Sequence, residues 1–386
     1  MTLPGAPLAG LRIIEVSSFV AAPLGGMTLA QLGAEVIRVD PIGGAPDTTR
    51  WPLAPNGASL YWAGLNKGKR SVTLDFRSPD GQRAVADLVA ESGPDGGILL
   101  TNAGYPWLSP EVLKARRPDL ILLRITGRHD GTPAVDYTVN AGIGFPLTTG
   151  DGDRHGPVNH VLPAWDVACG LYAAVGLLAA ERRRRRTGAG SVITLPLEDV
   201  ALAVTGHLGF LAEAQLTGRN RPRIGNHLYG GFARDFRTRD DAAVLVVTLT
   251  KPHFADLARV TGRAETLAAV EKALGADFAV DNDRYEHREV IAALLAPWFA
   301  GHTADEVAGA LRDTSVLWER YRTFAELAAD PGTLASSLVS LIDQPGIGRI
   351  LATGTPLAME GAGAGPQPAP VLGADTEAVL NELQGQ

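Results

Sequence analysis

Cysteine and histidine, two residue types that often bind metals in proteins, are scarce in this chain. Cys169 is the one cysteine among 386 residues, which excludes an internal disulfide and any site built from several thiolates. The eight histidines are dispersed, and neither an H-E-x-x-H motif nor a cluster of histidines with carboxylates occurs. We therefore expect no bound metal, and a reducing cytoplasm is the simplest compartment for a protein without disulfides.

Long apolar runs and an excess of positive charge are also missing. The most apolar stretch, Val167–Ala180, is interrupted by glycines and falls short of the ~20 residues that span a bilayer. Lys and Arg number 35 against 42 Asp and Glu, so the net charge is −7. An acidic balance argues against a nucleic-acid-binding surface. We expect neither a membrane nor a nucleic acid as a partner.

Three common enzyme motifs are absent as well. The chain contains no G-x-G-x-x-G of dinucleotide-binding folds, no G-x-x-x-x-G-K-[ST] of P-loops and no G-x-S-x-G of serine hydrolases. A nicotinamide enzyme, a P-loop NTPase and a Ser-His-Asp hydrolase therefore lack their sequence signatures.

The first half of the chain alternates strand-like and helix-like segments. The predicted strands are Leu11–Val16, Glu35–Val39, Ser71–Phe76, Gly97–Thr101, Leu120–Ile125 and Ser191–Leu195. Strand, helix and strand at this spacing predict βαβ units, and hence an α/β fold with a parallel sheet covered by helices on both faces. Such sheets bind ligands at the carboxyl ends of their strands.

The pattern changes between Asn226 and Tyr321, where one strand, Ala243–Thr250, is followed by three helices. This segment is typical of a smaller α+β domain, and the length of the chain suits two domains. Beyond it, Pro and Gly clusters predict a run over the surface before a closing helix at Asp375–Leu383.

Two local features suggest chemistry. The segment LNKGKRSVTLD places Lys67, Lys69 and Arg70 at the entrance to a strand, which on an acidic protein favours a polyanion such as the phosphates of a nucleotide. An ordinary solvated turn is the alternative.

The second feature is Asp166, at the start of a predicted long helix, Trp165–Arg186. Aspartate is a favoured N-cap, and capping alone explains its presence. The same position also suits a nucleophilic carboxylate, since the helix dipole and free amides would keep it ionised and stabilise negative charge nearby.

Five segments taken together resemble the family III CoA-transferases along essentially the whole chain. They are LAGLRIIEVSSFVAAPLGGMTLAQLGAEVIRVD, LNKGKRSVTLD, LLTN, PAWDVACGLYAAVGLLAAERRRRRTGAG and PAPVLGADTEAVLNEL. The resemblance implies a Rossmann-like large domain completed by the C-terminal segment, a smaller α+β domain and an interlocked homodimer. The implied bounds are 1–225 for the large CoA-binding domain with its linker helix, 226–325 for the small domain and 326–386 for the return to the large domain.

The resemblance also implies the site. Asp166 matches the family's nucleophile, and Asp136 matches an acidic residue that follows a glycine/proline turn. The positions implied to contact CoA are Val20, Ala21, Asp75, Phe76, Arg77, Asn102, Ala103 and Gly104. Pro41 and the short NAGYP loop stand where many members have basic residues, so Lys67, Lys69, Arg70 or Arg77 are expected to compensate. No separate cofactor is expected, because CoA enters as part of the substrate.

The reaction implied is transfer of CoA between carboxylates through covalent intermediates on Asp166. The expected substrate is the CoA thioester of a small branched dicarboxylic acid, with transfer either within one diacid or between two acids. An acyl-CoA racemase is a third alternative. Racemases of the family carry a histidine directly before the acidic residue, whereas this chain has Val135, which leaves α-proton abstraction without its base. A fourth alternative is a protein that binds CoA without catalysing a reaction.

Overall fold

A computed structural model describes residues 5–359 and 365–385. Its strands are β1 Arg12–Val16, β2 Glu35–Pro41, β3 Arg70–Leu74, β4 Ile98–Thr101, β5 Ile121–Thr126, β6 Ser191–Pro196, β7 Phe232–Arg237, β8 Ala243–Thr248, β9 Leu317–Arg320, β10 Val339–Gln344 and β11 Gly348–Thr353.

The helices are α1 Ala21–Gln31, α2 Leu60–Leu65, α3 Pro79–Ala90, α4 Pro110–Arg116, α5 Asp136–Gly142, α6 Phe145–Thr148, α7 Ala164–Thr187, α8 Leu197–His207, α9 Phe210–Thr217, α10 Lys251–Val260, α11 Ala264–Leu274, α12 Asp281–Glu286, α13 Arg288–Ala300, α14 Ala304–Leu311, α15 Phe324–Ala329, α16 Pro331–Ala335 and α17 Thr376–Gln384. Two short 3₁₀ helices span Pro46–Thr49 and Pro106–Leu108.

Six parallel strands form the main sheet in the order β3-β2-β1-β4-β5-β6. The central strands read as continuous apolar runs because helices cover both faces, so Ile13, Ile14, Leu99 and Leu122 have no solvent exposure. The strand order reverses between β1 and β4, which in doubly wound sheets is where ligands bind. The predicted Rossmann-like α/β fold is confirmed.

The C-terminal segment covers the edge of this sheet. The backbone amide of Ser71 in β3 donates to Asp375 (2.8 Å), and that of Thr73 donates to the Thr376 hydroxyl (3.0 Å). Arg70 in turn pairs with Glu382 in α17 at 2.9 Å. The edge amides of β3 are thus satisfied from a segment about 300 residues downstream in the chain, which protects the strand from pairing with other chains.

Between β9 and α17 the structure differs from the expected surface run, since β10 and β11 pair as an antiparallel hairpin. Gly346 (φ 73°) and Gly348 (φ 107°) supply the left-handed turn that joins the two strands. Residues 360–364, part of the predicted surface run, lie outside the described residues. The predicted closing helix is present as α17.

The chain groups into two compact units. One comprises the residues up to Ile143, His160–Glu213 and the residues from Ala328 onward; the other comprises Gly144–Asn159 and Ala214–Leu327. The predicted large domain 1–225 differs from this grouping at 144–159 and 214–225. Those two segments belong to the smaller unit and are hydrogen-bonded to each other: Gly225 N donates to Gly150 O (3.0 Å), and Arg223 donates to Leu147 O (2.8 Å).

The smaller unit is an antiparallel three-stranded sheet, ordered β7-β8-β9, packed against helices α10 to α14. Its core contains aromatic side chains, among them Phe236 stacked on Phe299 with ring centroids 4.2 Å apart. The expected α+β character of this segment is present.

Helix α7 is the one helix, within the described ranges, that is long and apolar enough to cross a membrane by length and composition. Cys169, Ala173, Ala174 and Leu177 on it are nevertheless buried in the larger unit, as in the core helix of a globular domain. Gly188, in the left-handed conformation (φ 70°), ends the helix.

Candidate active site

The turn after β1 and the turn after β4 lie side by side at the switch point of the sheet. Asn102 joins them: its side-chain oxygen accepts from the Ser18 amide (3.1 Å), and its side-chain nitrogen donates to the Ser18 carbonyl (2.8 Å). Val20 and Ala21 follow in the same turn and begin α1. The structure thus brings together two of the three groups of residues expected to contact CoA.

Phe19, in this turn, has a left-handed backbone with φ 66°, which is uncommon for a residue other than glycine. Backbone conformations of this kind store strain of roughly 1–3 kcal/mol and cluster at functional sites.

The third expected group, Asp75 to Arg77, follows β3. Asp75 accepts a hydrogen bond from the Arg77 amide (3.0 Å), and both side chains are exposed. Phe76 makes edge-to-face contacts with Tyr105 (5.6 Å between centroids) and Trp107 (5.4 Å), which stack on each other. Tyr105 and Trp107 therefore belong to this region, although the sequence analysis did not select them. Their signal was two aromatic residues in the short loop after β4.

The predicted cluster of free cations at Lys67, Lys69 and Arg70 does not form. Lys69 is buried, and its ammonium donates to both carboxylate oxygens of Glu15 (2.8 and 2.9 Å), to Pro23 O and to Asn66. Burial lowers the pKa of Lys69 to about 8, against the opposing effect of the Glu15 charge. This ion pair belongs to the core of the unit.

The other two cations of this turn are also engaged. Arg70 pairs with Glu35 at 2.7 Å and with Glu382 at 2.9 Å, and Lys67 donates to the Gly64 carbonyl. Successive side chains in the turn and in β3 point in different directions. The three cations are therefore close in sequence but bind separate partners.

The first turn of α7 is capped by Asp136, not by Asp166. Asp166 is the third residue of the helix, and its N-cap position is occupied by Pro163. One oxygen of the Asp136 carboxylate accepts from the Trp165 amide (2.8 Å) and from the Asp166 amide (3.1 Å). The expectation that Asp166 is the N-cap is therefore wrong, because a neighbouring helix supplies the capping carboxylate.

The amides at the start of α7 are all in use. Besides the two that bind Asp136, the Ala164 amide donates to Leu162 O and the Val167 amide donates to Pro163 O. No amide in this first turn is left to stabilise the Asp166 side chain. The other oxygen of Asp136 is buried and has no hydrogen-bond partner among the described residues.

The electrostatics of Asp166 differ accordingly from the prediction. Its pKa is raised to about 7, first by burial and then by the charge of Asp136, while Arg50 acts in the opposite direction. The predicted ionisation by the helix start is thus outweighed by desolvation and by the second carboxylate. Cys169, one turn of helix from Asp166, has its pKa raised to about 12 by burial, which keeps the thiol protonated.

Arg50 and Tyr61 are two further neighbours of Asp166 that the sequence analysis missed. The guanidinium of Arg50 lies over the ring of Phe19 (5.3 Å) and the ring of Tyr61 (5.2 Å). Burial raises the pKa of Tyr61 to about 12, with the Asp166 charge contributing in the same direction. The Tyr61 hydroxyl is therefore protonated at neutral pH and can donate a hydrogen bond.

Two glycines let α1 and α7 approach closely. A methyl group on Gly25 would lie 2.9 Å from the Gly170 carbonyl oxygen, and one on Gly170 would lie 2.7 Å from the Ala21 carbonyl oxygen. Asp166 is four residues before Gly170, hence on the same face of α7. The crossing of these helices thus sets Asp166 beside the start of α1, where Val20 and Ala21 lie.

No three His, Cys, Asp or Glu side chains are grouped as metal ligands in the part of the chain that the structure describes. What the site does contain is an aspartate with a raised pKa, a second buried carboxylate, an arginine and a tyrosine, at the ligand-binding edge of a doubly wound sheet.

The chain belongs to CoA-transferase family III, whose sequence pattern matches residues 8–376. It is 48% identical, over 98% of its length and 94% of the relative's, to 2-methylfumaryl-CoA isomerase of Chloroflexus aurantiacus. It is 30% identical to succinyl-CoA–D-citramalate CoA-transferase of the same organism, over 90% of this chain and 86% of that one.

Among solved structures, a CaiB/BaiF family protein from Brucella suis is similar with a TM-score of 0.81 and 27% identity, covering 98% of this chain and 99% of that one. The resemblance to the family is confirmed, and the protein is an enzyme of that family.

Proposed function

We propose that this enzyme converts 2-methylfumaryl-CoA, also called mesaconyl-1-CoA, into 3-methylfumaryl-CoA by moving CoA between the two carboxyl groups of one diacid. The observation that carries the proposal is Asp166, a partly buried carboxylate with a raised pKa and no hydrogen bond to its side chain among the described residues. The similarity to an isomerase of this substrate over nearly the whole chain supports the choice of diacid.

In the first half of the reaction, the Asp166 carboxylate attacks the thioester carbonyl. The carbon–sulfur bond breaks, CoA leaves as a thiolate, and a mixed anhydride links Asp166 to the diacid. The thiolate then attacks the aspartyl carbonyl, the anhydride carbon–oxygen bond breaks, and free mesaconate and an aspartyl-CoA thioester result. Each step exchanges one acyl bond for another, so no proton has to be moved.

In the second half, mesaconate turns and its other carboxylate attacks the aspartyl-CoA thioester. The same two steps then run in reverse and restore the Asp166 carboxylate. Holding the diacid in the site keeps its effective concentration high, and exclusion of water protects the anhydride from hydrolysis.

Asp136 has a supporting role in this proposal. Its carboxylate fixes the backbone at Trp165 and Asp166 through two hydrogen bonds, and its charge raises the pKa of Asp166. A more basic carboxylate is a stronger nucleophile once it is ionised.

The CoA part of the substrate is proposed to lie along the carboxyl edge of the sheet, against Val20, Ala21, Asn102, Ala103 and Gly104. Asp75 to Arg77 continue this edge, and the exposed Arg77 is the cation proposed for the phosphates in place of the engaged Lys67, Lys69 and Arg70.

We also propose a cytoplasmic homodimer of interlocked subunits. Exposed apolar side chains along α7 and α8, and at the residue that follows α8, suit self-association: Leu171, Tyr172, Val175, Leu202 and Leu208. Sedimentation of the purified enzyme tests whether two subunits associate.

Mass spectrometry of the denatured enzyme after mixing with mesaconyl-CoA tests the chemistry. An acyl or CoA adduct on the peptide that contains Asp166, absent from Asp166→Asn, supports the proposal. Full turnover by Asp166→Asn, checked against deamidation, refutes it.

Transfer between two different acids is the second candidate, favoured by the 30% identity to a transferase acting on succinyl-CoA and D-citramalate. Isotope-labelled mesaconyl-CoA incubated with unlabelled mesaconate separates the two: extensive exchange of label indicates intermolecular transfer. A racemase would instead incorporate solvent deuterium at the α-carbon.

A further inference from the structure

Arg50 is fixed in place at the end of the 3₁₀ turn that follows β2. Its amide donates to Asp47 O (3.2 Å), and its carbonyl accepts from the Ser59 hydroxyl (2.6 Å). Its side chain rests on two aromatic rings, Phe19 and Tyr61, each about 5 Å from the guanidinium carbon. Two backbone hydrogen bonds and two ring contacts thus define where the guanidinium points.

The guanidinium of Arg50 is also free to bind an anion. Within the described residues it makes no hydrogen bond or ion pair, whereas Arg38 nearby is fully buried and paired with Asp40 and Asp47, and Arg70 is paired with Glu35. An arginine stacked on aromatic faces keeps its N–H donors available at the edge of its plane.

Arg50 is connected to the proposed nucleophile through the contacts of Phe19 and of helix α1. Phe19, on which it rests, lies two residues before Ala21, the first residue of α1. Helix α1 meets α7 at the contact between Ala21 and Gly170, one helical turn from Asp166. The positive charge of Arg50 acts to lower the pKa of both Asp166 and Tyr61, which agrees with this placement.

We propose that Arg50 binds the free carboxylate of the dicarboxylic acyl group while the other carboxyl reacts at Asp166. This inference rests on the proposed function and names the residue that selects a diacid. A planar guanidinium can hold a carboxylate through two parallel hydrogen bonds. When the diacid turns, its two carboxylates exchange places between Arg50 and Asp166, so one site serves both isomers. Phe19 and Tyr61 hold the arginine in place throughout.

Binding to the inactive Asp166→Asn protein tests the assignment without any chemistry. The two probes are mesaconyl-CoA and tiglyl-CoA, which carries a methyl group where mesaconyl-CoA has its free carboxylate. Titration calorimetry measures the dissociation constant of each thioester from the Asp166→Asn protein. The same measurement is made on three double variants, in which Asp166→Asn is combined with Arg50→Met, Arg50→Lys or Arg83→Met. Arg83 is a matched control, since it is an exposed arginine of the same unit, paired with Asp80 on α3.

We expect Arg50→Met to weaken mesaconyl-CoA binding about 10- to 100-fold, the range for a charge-assisted pair, and tiglyl-CoA binding less than about threefold. Arg50→Lys should recover part of the loss, because charge returns without the planar fork. Arg83→Met should change neither. Unaltered urea midpoints of the variants exclude unfolding as the cause.

Equal weakening of both thioesters, or no weakening, overturns the assignment, because Arg50 would then have a general structural role or none. If the selectivity depends on Arg50 but the wild-type enzyme forms no adduct on Asp166, the proposed function fails and the carboxylate-binding role stands. If the Asp166→Asn protein binds neither thioester, both fail.

Discussion

The free energy of unfolding of Asp166→Asn, compared with that of the wild type, should increase as the pH rises. Asp166 has a pKa of about 7 in the folded protein, compared with 3.8 for an unperturbed aspartate. Between these two pH values the unfolded chain releases a proton that the folded protein retains. Wild-type stability therefore falls as the pH rises through this window and levels off above it. Asparagine does not titrate, so the variant lacks this loss.

The magnitude follows from the shift. Each pH unit well inside the window corresponds to about 1.4 kcal/mol, and the slope halves near pH 7, so a rise from pH 5 to pH 7 removes about 2.3 kcal/mol from the wild type. Over the whole window the loss is about 4 kcal/mol at most, because relaxation and residual solvation reduce it. Burying the amide of asparagine changes stability by an amount independent of pH, so that amount cancels from the slope.

Urea denaturation of both proteins at pH 5, 6, 7 and 8 measures the effect. The difference in free energy of unfolding between Asp166→Asn and wild type should grow by about 2–3 kcal/mol from pH 5 to pH 8. Asp80→Asn is the control, since the Asp80 side chain is 92% exposed and its substitution removes no buried charge. A difference that is the same at all four pH values would refute the raised pKa and the environment argued for Asp166.

Three further outcomes are expected. Asp136→Asn should move the rise of kcat/KM with pH, which in the wild type lies near pH 7, to lower pH, because the charge that raises the Asp166 pKa is gone while an acceptor for the helix amides remains. Lys69→Met should lower the free energy of unfolding by about 3–5 kcal/mol in urea, since Glu15 is left buried without its partner. Gly170→Ala should lower both stability, by about 1–3 kcal/mol, and activity, because the added methyl group meets a backbone carbonyl of α1 at 2.7 Å.

The two stability outcomes each have a matched control. Combining Lys69→Met with Glu15→Gln should restore part of the stability, because no unpaired charge remains. Gly309→Ala, in a helix with open space around the glycine, should not destabilise the protein. An unchanged pH profile in Asp136→Asn would contradict the coupling between the two carboxylates.

The parallel sheet could be predicted because its strands are buried on both faces. Leu120–Ile125, for example, was predicted as a strand from its uninterrupted apolar residues, and the structure has β5 at Ile121–Thr126. The hairpin of β10 and β11 was missed although a turn, QPGIG, separates two strand-like runs there. Proline and glycine were taken as signs of an irregular surface run, when Gly346 and Gly348 supply the turn of a hairpin.

Burial of charge was the part of the site that sequence could not supply. Lys69 is turned inward by Glu15, which lies 54 positions earlier in the chain, and nothing in the local run of cations indicates that partner. The capping of α7 is similar, since Asp136 acts from 30 positions away on the Asp166 amide. Arg50 and its two aromatic contacts, Phe19 and Tyr61, lie in separate segments of the chain that come together only in the folded protein.

The raised pKa of Asp166 serves a carboxylate nucleophile better than the ionisation first expected from the helix start. At pH 7.5 a group of pKa about 7 is still about three-quarters ionised, so its protonation slows the reaction only slightly. The ionised form is destabilised by up to about 4 kcal/mol relative to an ordinary aspartate, and that free energy is released when the charge leaves Asp166 on forming the anhydride. Burial and Asp136 thus favour acylation, whereas Arg50 opposes them as long as it is unoccupied. A substrate carboxylate bound to Arg50 would neutralise that opposition, so a diacid would both occupy the site and strengthen its nucleophile.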